Sequence, residues 1–513
     1  MKHALLSRDD IRAAESAWTD AHPRTPLMSR AGKAIAQWAL SFLKQHKTTP
    51  RQVLILAGPG NNGGDAWVAA DLLAKAKCRI SVLALGEHKF KEPVARQAHA
   101  SYKKSGTIVR SWSEIAGDAE SFGLIIDGLF GSGLQRAPSG AFANAIRGVN
   151  TLRVRHGTTV LAIDVPSGVD ADRGMAFDAA IEADHTLTFI AHKPGLMTGD
   201  GLDHAGSIQL DTLGVEPPAG SNVLLTREGL LPLIAPRPRT AHKGTFGNVG
   251  ILGGADGMVG AAVLGARAAL HMGPGKVLLG LMASDRIPFD PLHPEIMFRD
   301  AKLLAKDEAV TAYAVGMGMG DGGIGATVLH ALISGPRPAV IDADALNLLV
   351  SNPSIGAAFE AKKAGNPHQC LSFVLTPHPG EAARLLKCTT TDIQVDRIAA
   401  AQKLAAQFQS VVVLKGAGTV IATPDGRFRI NTTGNPGMAS GGMGDALSGM
   451  IAAFLAQGMP PVDAASLAVY LHGAAADAAM EHGMAPRGLT ASEVLFEARM
   501  LLNSGLDHGD GDH

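Results

Sequence analysis

Short apolar runs of strand length alternate with segments of helical spacing along almost the whole chain. The first pattern is helical: Ser7 to Asp10 reads as a capping-box-like S-x-x-D, after which Ile11, Ala14 and Trp18 recur at helical spacing until Pro23 stops the run. Residues 53–57 form an apolar strand that leads into GPGNNGGD at 58–65, then into a helix through Ala76 with Val68, Leu72 and Leu73 on its apolar face. Further strands are expected at 80–85, 124–127, 160–164 and 186–191, between helices at 92–104 and 139–149. Such alternation predicts an α/β fold with a doubly wound parallel sheet. Periodicity breaks at 212–222, around Glu216-Pro217-Pro218-Ala219-Gly220, and then resumes, so domains are expected at 1–218 and 222–505. Apolar strands ending in Gly, Asp or His mark the second domain: HKGTFGNVGILGG at 242–254, GMGMG at 316–320, IDADALN at 341–347, LTPHPGE at 375–381 and VVLKGAGT at 412–419. Residues 503–513 are polar and Gly-rich and read as a frayed tail.

Three of the expected strand ends in the first half are polar. They are the loop at Gly58, Asp127 followed by Gly131-Ser132-Gly133, and Asp164 followed by Pro166-Ser167-Gly168. In a doubly wound sheet ligands sit beyond the carboxyl ends of the strands, so one crevice can collect all three. Either Asp taken alone is equally a turn cap. The 58–65 loop matches neither the Walker nor the G-x-G-x-x-G spacing, and its two Asn side chains suit a site richer in carbonyl oxygen than a bare phosphate nest. In the second half the densest stretch is NTTGNPGMASGGMGDALSG at 431–449. A strand pair at 419–422 and 428–430, with Pro424-Asp425-Gly426 as its turn, precedes it, and an apolar helical run at 446–457 follows. The Gly-rich turn therefore delivers free N–H groups to a helix N-terminus, which favours an anion such as a phosphate. Asp445 sits at that mouth, where it either caps the helix or takes a proton from whatever attacks the phosphate.

Composition narrows the partners. With 46 Lys plus Arg against 47 Asp plus Glu in 513 residues, there is no electrostatic case for nucleic acid or an anionic membrane, and a small ligand is expected. Cys78, Cys370 and Cys388 are too scattered for a disulfide framework or a thiolate metal site, which fits a reducing compartment and makes the cytoplasm the expected location. Residues 1–10 hold no apolar signal segment, and no apolar run reaches membrane-spanning length. A homo-oligomer is the expected assembly.

In order and spacing these landmarks resemble the bifunctional NAD(P)H-hydrate repair enzymes, over nearly the whole chain. That resemblance implies a Rossmann-like NAD(P)HX epimerase domain followed by a ribokinase-like, ADP- or ATP-dependent NAD(P)HX dehydratase domain, acting together on NADHX and NADPHX. It further implies that Asn61, Asn62, Gly63, Gly64 and Asp65, with Gly131, Ser132, Gly133, Leu134, Gln135, Arg136 and Ala137, contact the hydrate in the epimerase. Asp164 would be its acid/base group, and Asn62, Asp127 and Ser167 would hold K⁺, a hard cation suited to oxygen donors. In the dehydratase, Ala261, Gly318, Thr376, Pro377 and His378 would face the hydrate. Lys415, Gly416, Ala417, Gly418, Thr419 and Gly444 would hold the nucleotide with its Mg²⁺, and Asp445 would meet the reacting hydroxyl. Lys415 is a phosphate partner by type, and equally a group that could satisfy its own loop. Two positions depart from the family's usual residues: Ala66 stands for Gly and Met443 for Thr. The alternative is a ribokinase-like small-molecule kinase fused to a non-catalytic Rossmann-like binding module.

Overall fold

The computed structural model describes residues 3–46, 52–87, 90, 92–104, 106–109, 111–115, 122–218, 220, 222–284, 288–365, 370–484 and 486–504. Two compact units divide the chain, Met1–Val223 and Leu224–His513. In the first unit the strands are β1 (Ala4–Leu5), β2 (Gln52–Ala57), β3 (Arg79–Ala84), β4 (Thr107–Val109), β5 (Leu124–Gly128), β6 (Thr159–Ile163), β7 (His185–Phe189) and β8 (Ser207–Asp211). All but β1 form one parallel sheet in the order β4-β3-β2-β5-β6-β7-β8. Near-continuous apolar runs suit strands covered on both faces. On β2, Val53, Ile55 and Ala57 pack into one layer with Ile35, Trp67 and Leu73, while Leu54 and Leu56 point into the other with Ile146 and Val149. Each such aliphatic or aromatic side chain contributes about 1.5–3 kcal/mol by burial, so the two layers fix where the strand ends lie.

The S-x-x-D cap is formed as expected: Ser7 Oγ accepts from Asp10 N at 3.2 Å, and Asp10 Oδ2 accepts from Ser7 N at 3.1 Å, opening the helix Arg8–Ala21. Several elements differ from the sequence reading. The helix Leu27–Gln45 follows Pro26 directly and buries Ile35, Ala39 and Leu43, although no boundary signal beyond that proline announced it. The expected Gly loop is shorter than eight residues, because the helix Asn61–Lys75 starts at Asn61 with Gly60 as its cap. The helix Ala141–His156 outruns its expected end by seven residues and stops at Gly157, whose φ of 64° suits a glycine cap. Strands β4 and β8, the latter partly exposed, add edges that the apolar pattern did not mark.

At the unit boundary lies β9 (Asn222–Leu224), whose Asn222 and Val223 pair antiparallel with Leu5 and Ala4. The second unit continues with β10 (Asn248–Gly253), β11 (Lys276–Leu281), β12 (Met297–Asp300), β13 (Ala312–Val315), β14 (Ala339–Ile341), β15 (Phe373–Leu375), β16 (Val411–Leu414), β17 (Thr419–Ala422) and β18 (Phe428–Asn431). Their order is β18-β17-β16-β15-β14-β13-β10-β11-β12, parallel from β16 through β12. The hairpin read from Pro424-Asp425-Gly426 is present, with Val420 opposite Ile430. The helices Val259–His271, Met443–Ala456, Pro461–Glu481 and Ala491–Ser504 share one core. Asn503 belongs to the last of these helices, and the remainder of the expected tail, 505–513, lies outside the described residues. Among the described residues no helix is long and apolar enough to cross a membrane.

Each unit owns a sheet and a core, and we propose that each folds alone. Cut between Val223 and Leu224, so that Ala4 and Leu5 keep their partners, both fragments should show native circular dichroism and a cooperative melt. A fragment unfolded where the parent is native would refute independent folding.

Candidate active sites

In the first unit the sheet grows outward in opposite directions from β2 and β5, a topological switch that leaves a crevice at their carboxyl ends. A cleft of about 800 Å³ lies there. Asn61, Asn62 and Asp65 line it from the first turn after β2, Gly131, Ser132, Gly133, Leu134, Gln135 and Arg136 from the segment after β5, and Asp164 from the end of β6. Gly63 and Gly64 are closely packed: a Cβ at Gly63 would collide with the Gly58 carbonyl, and one at Gly64 would lie 2.5 Å from Met28 Cε. Ala137 is exposed and does not line the cleft. Asp164 has a φ of 65°, left-handed backbone that Asp tolerates better than most residues and that turns its side chain off the strand.

The Asp164 carboxylate is paired. Its Oδ1 accepts from Lys193 Nζ at 2.5 Å and from Phe189 N at 3.3 Å, while Lys193 Nζ also donates to Phe189 O at 2.6 Å and Thr188 Oγ1 at 3.1 Å. Lys193 is completely buried. Glu15 and Asp65 add further carboxylates to the lining. Burial and then the Asp164 charge raise the proton affinity of both, and Asp65 stands well above the usual carboxylate range, with Glu15 adding to its repulsion.

Asn62, Asp127 and Ser167 converge around the Phe130 backbone. Asn62 Nδ2 donates to Phe130 O at 3.0 Å, Phe130 N donates to Ser167 Oγ at 2.8 Å, and Asp127 accepts from Ser167 Oγ at 2.7 Å and Ser167 N at 2.8 Å. Asp127 is fully buried, and among the described residues it has no ion pair; burial pushes its carboxyl up to about 6. A buried carboxylate beside a hydroxyl, a peptide carbonyl and the Asn62 Oδ1, which has no hydrogen bond among the described residues, is a donor set that fits K⁺.

The second unit repeats the logic, with its switch point between β10 and β13. Gly254 N donates to Met317 O at 2.9 Å and Ala255 N to Gly318 O at 2.7 Å, closing the two strand ends together beside Ala261. Gly318 has a φ of 56°, and an added Cβ would sit 3.1 Å from that of Ala261. Across this junction the helix Met443–Ala456 starts after Gly442, whose φ is 89°. Its first internal bond is Ala446 N to Gly442 O at 3.0 Å, so the N–H groups of Met443, Gly444 and Asp445 precede the intrahelical ladder. Asp445 lies in that first turn and makes no side-chain hydrogen bond among the described residues, so it is not the helix cap. Burial first, and then Asp342, raise its carboxyl to about 6 against the pull of Lys415.

The Lys415 ammonium is held by side-chain carboxylates. Its Nζ donates to Asp342 Oδ1 at 2.7 Å and lies 3.9 Å from Glu381 Oε2, at the edge of Gly444. Pro377 accepts from Lys415 N at 2.9 Å, and buried Thr376 stands 3.5 Å from Ser448 Oγ. His378 is occupied as a cap: its Nδ1 accepts from Gly380 N at 3.0 Å, which leaves the proton on Nε2, 3.3 Å from Glu381 Oε1. Gly416, Ala417, Gly418 and Thr419 form the turn into β17, closed by Thr419 Oγ1 donating to Gly416 O at 2.8 Å. Gly416, with a φ of 128°, lies against the Arg397 guanidinium.

Sequence reading missed Lys193, Glu15, Asp342, Glu381 and Ser448. Lys193 carried a usable signal, standing a few residues past the apolar strand at the end where ligands gather. Glu15 carried none, being one polar position among many on an amphipathic helix.

Two α/β units, each with a carboxylate and a lysine at the ligand-binding ends of a parallel sheet, define an enzyme with two centres. Comparisons with known proteins name the family. One family model, described as NAD(P)H-hydrate dehydratase, matches residues 249–497, and another, described as YjeF-related protein N-terminus, matches residues 24–195. The bifunctional NAD(P)H-hydrate repair enzyme of Escherichia coli is 36% identical over 98% of this chain and 94% of its own length, and that of Leishmania major is 35% identical over the same shares. An ADP-dependent (S)-NAD(P)H-hydrate dehydratase of Neisseria meningitidis is 42% identical over 52% of this chain and 88% of its own. A solved ADP/ATP-dependent NAD(P)H-hydrate dehydratase from Bacillus subtilis, co-crystallised with ATP and Mg²⁺, is 31% identical, covering 56% of this chain and 100% of that one with a TM-score of 0.48. The chain belongs to the bifunctional NAD(P)H-hydrate repair enzymes. It is an enzyme of nicotinamide-cofactor repair with an epimerase half and a dehydratase half, and the fusion of a kinase to an inert module is set aside.

Proposed function

We propose that the second unit dehydrates S-NAD(P)HX with ADP or ATP as phosphoryl donor, Asp445 being its base, and that the first unit interconverts the R and S hydrates at Asp164. The observation that carries the dehydratase reading is the free Asp445 carboxylate, proton-hungry and set among unbonded N–H groups at a helix mouth. Asp445 takes the proton of the ring hydroxyl as its oxygen attacks the terminal phosphorus, and the N–H groups of the first turn receive the charge that develops on the phosphoryl oxygens. Phosphate then leaves with the C–O electron pair and the neighbouring carbon loses a proton, so hydrate plus ADP gives NAD(P)H, AMP and phosphate. Mg²⁺ is expected to ride on the nucleotide phosphates: among the described residues no group of three or more His, Cys, Asp or Glu could hold a metal ion, and both Asp342 oxygens are engaged. Chromatography of separated R and S hydrates incubated with each nucleotide tests the reading; no regeneration of reduced cofactor from S hydrate with either would refute it. The three free cysteines keep the cytoplasm as the proposed compartment.

For the epimerase we propose that Asn62, Asp127 and Ser167 hold K⁺, whose charge helps to anchor the hydrate. Binding to the native state alone raises stability by mass action. Replacing choline chloride by potassium chloride at equal ionic strength should raise the melting temperature of the parent by a few degrees, about 1–2 kcal/mol, and leave Asp127→Asn unmoved. Equal shifts in both proteins would remove Asp127 from the site.

A further inference from the structure

We propose that Asp342 is a positioning residue of the dehydratase centre: it pins Lys415 across the mouth of the helix that carries Asp445 and is itself tied to that helix through Ser448. The inference rests on the reading of Asp445 as the base. Asp342 follows β14 directly and is almost fully buried. Each of its oxygens has a fixed task. Oδ1 accepts from Lys415 Nζ at 2.7 Å and from Ala343 N at 2.8 Å, and Oδ2 accepts from Ser448 Oγ at 2.7 Å. Ser448 is buried and lies three residues beyond Asp445, on the same face of the same helix. Lys415 arrives from the end of β16 and has Glu381 as a second, longer partner at 3.9 Å.

The ammonium thus reaches Gly444 already neutralised. A lysine held in this way can meet a phosphate by trading one anionic partner for another, with its direction set in advance and no rotamer search. The arrangement also governs the base. Asp342 and Asp344 push the proton affinity of Asp445 up and Lys415 pulls it down, while the helix Val259–His271 places Leu264 and Gly265 against this turn. Removing either member of the ion pair must therefore move Asp445, and the two removals must move it in opposite directions.

The test is the pH dependence of single-turnover dehydration of S-NADHX by the full chain at saturating ADP, between pH 5 and 9. Asp342→Asn should shift the acid limb to lower pH by about half a unit, and Lys415→Gln should shift it to higher pH by a similar amount. Loss of packing alone would move both limbs alike or neither, and either result overturns the inference. If Asp342→Asn does not fold, Lys415→Gln decides by its sign, because it leaves Asp342 bonded to Ser448 and Ala343. Asp445→Asn is measured alongside. Should it keep parental turnover, the base assignment itself is wrong; should it be inactive while the other two limbs stay at the parental pH, only the role of Asp342 is lost.

Discussion

Asp445→Asn is expected to lower cofactor regeneration from S hydrate by about a thousandfold while leaving ADP binding within a fewfold of the parent. The amide keeps the shape of the side chain and cannot take the hydroxyl proton. Because this carboxylate makes no hydrogen bond among the described residues, the exchange breaks no contact in the fold, and the melting temperature should stay close to that of the parent. In the parent the base form prevails above a pKa of about 6, so the rate should rise with pH through that value and level off above it. Absorbance of the reduced nicotinamide ring reads the rate, and calorimetry reads the nucleotide. Near-parental turnover in the variant would make Asp445 a bystander, and an equal loss of ADP binding would make it a structural support.

Periodicity carried the architecture because both sheets are covered on two faces, and buried strands such as β2 and β16 are written as unbroken apolar runs. Partly exposed β8 and short β4 lacked that signature. The first glycines misled locally. GPGNNGGD looks like a loop by composition, yet from Asn61 onward it is helix, because its glycines are needed for close approach to the Gly58 carbonyl and to Met28 rather than for turning. The strand-end placement of the candidate residues Asp127 and Asp164 was legible in the sequence. The long-range pairings around the two candidate sites were not. Lys193, Asp342 and Ser448 act through pairings spanning 29, 73 and 106 residues of sequence, which no local window contains.

In the first unit the larger consequence follows from the Lys193 ion pair. Asp164→Asn should stop interconversion of the R and S hydrates, with a loss of about a thousandfold, because any route to inversion at that carbon moves a proton and the amide cannot carry one. Dehydration of pure S hydrate should continue at the parental rate, since the reacting groups belong to different units. The Asn variant is preferable to Ala, which would leave the buried ammonium of Lys193 with only Thr188 Oγ1 and Phe189 O and could cost about 3–5 kcal/mol in fold stability. Lys193→Met separates the two effects. It removes the ammonium that donates to Asp164 Oδ1 and leaves the Phe189 N–H donor in place. Without that donor the orientation of the Asp164 carboxylate is less fixed, so epimerisation should fall by about ten- to a hundredfold. Chromatographic separation of the epimers measures both variants. An Asp164→Asn enzyme that still equilibrates R and S at the parental rate would remove Asp164 from the chemistry, and a folded Lys193→Met enzyme with parental epimerisation would reduce the lysine to packing.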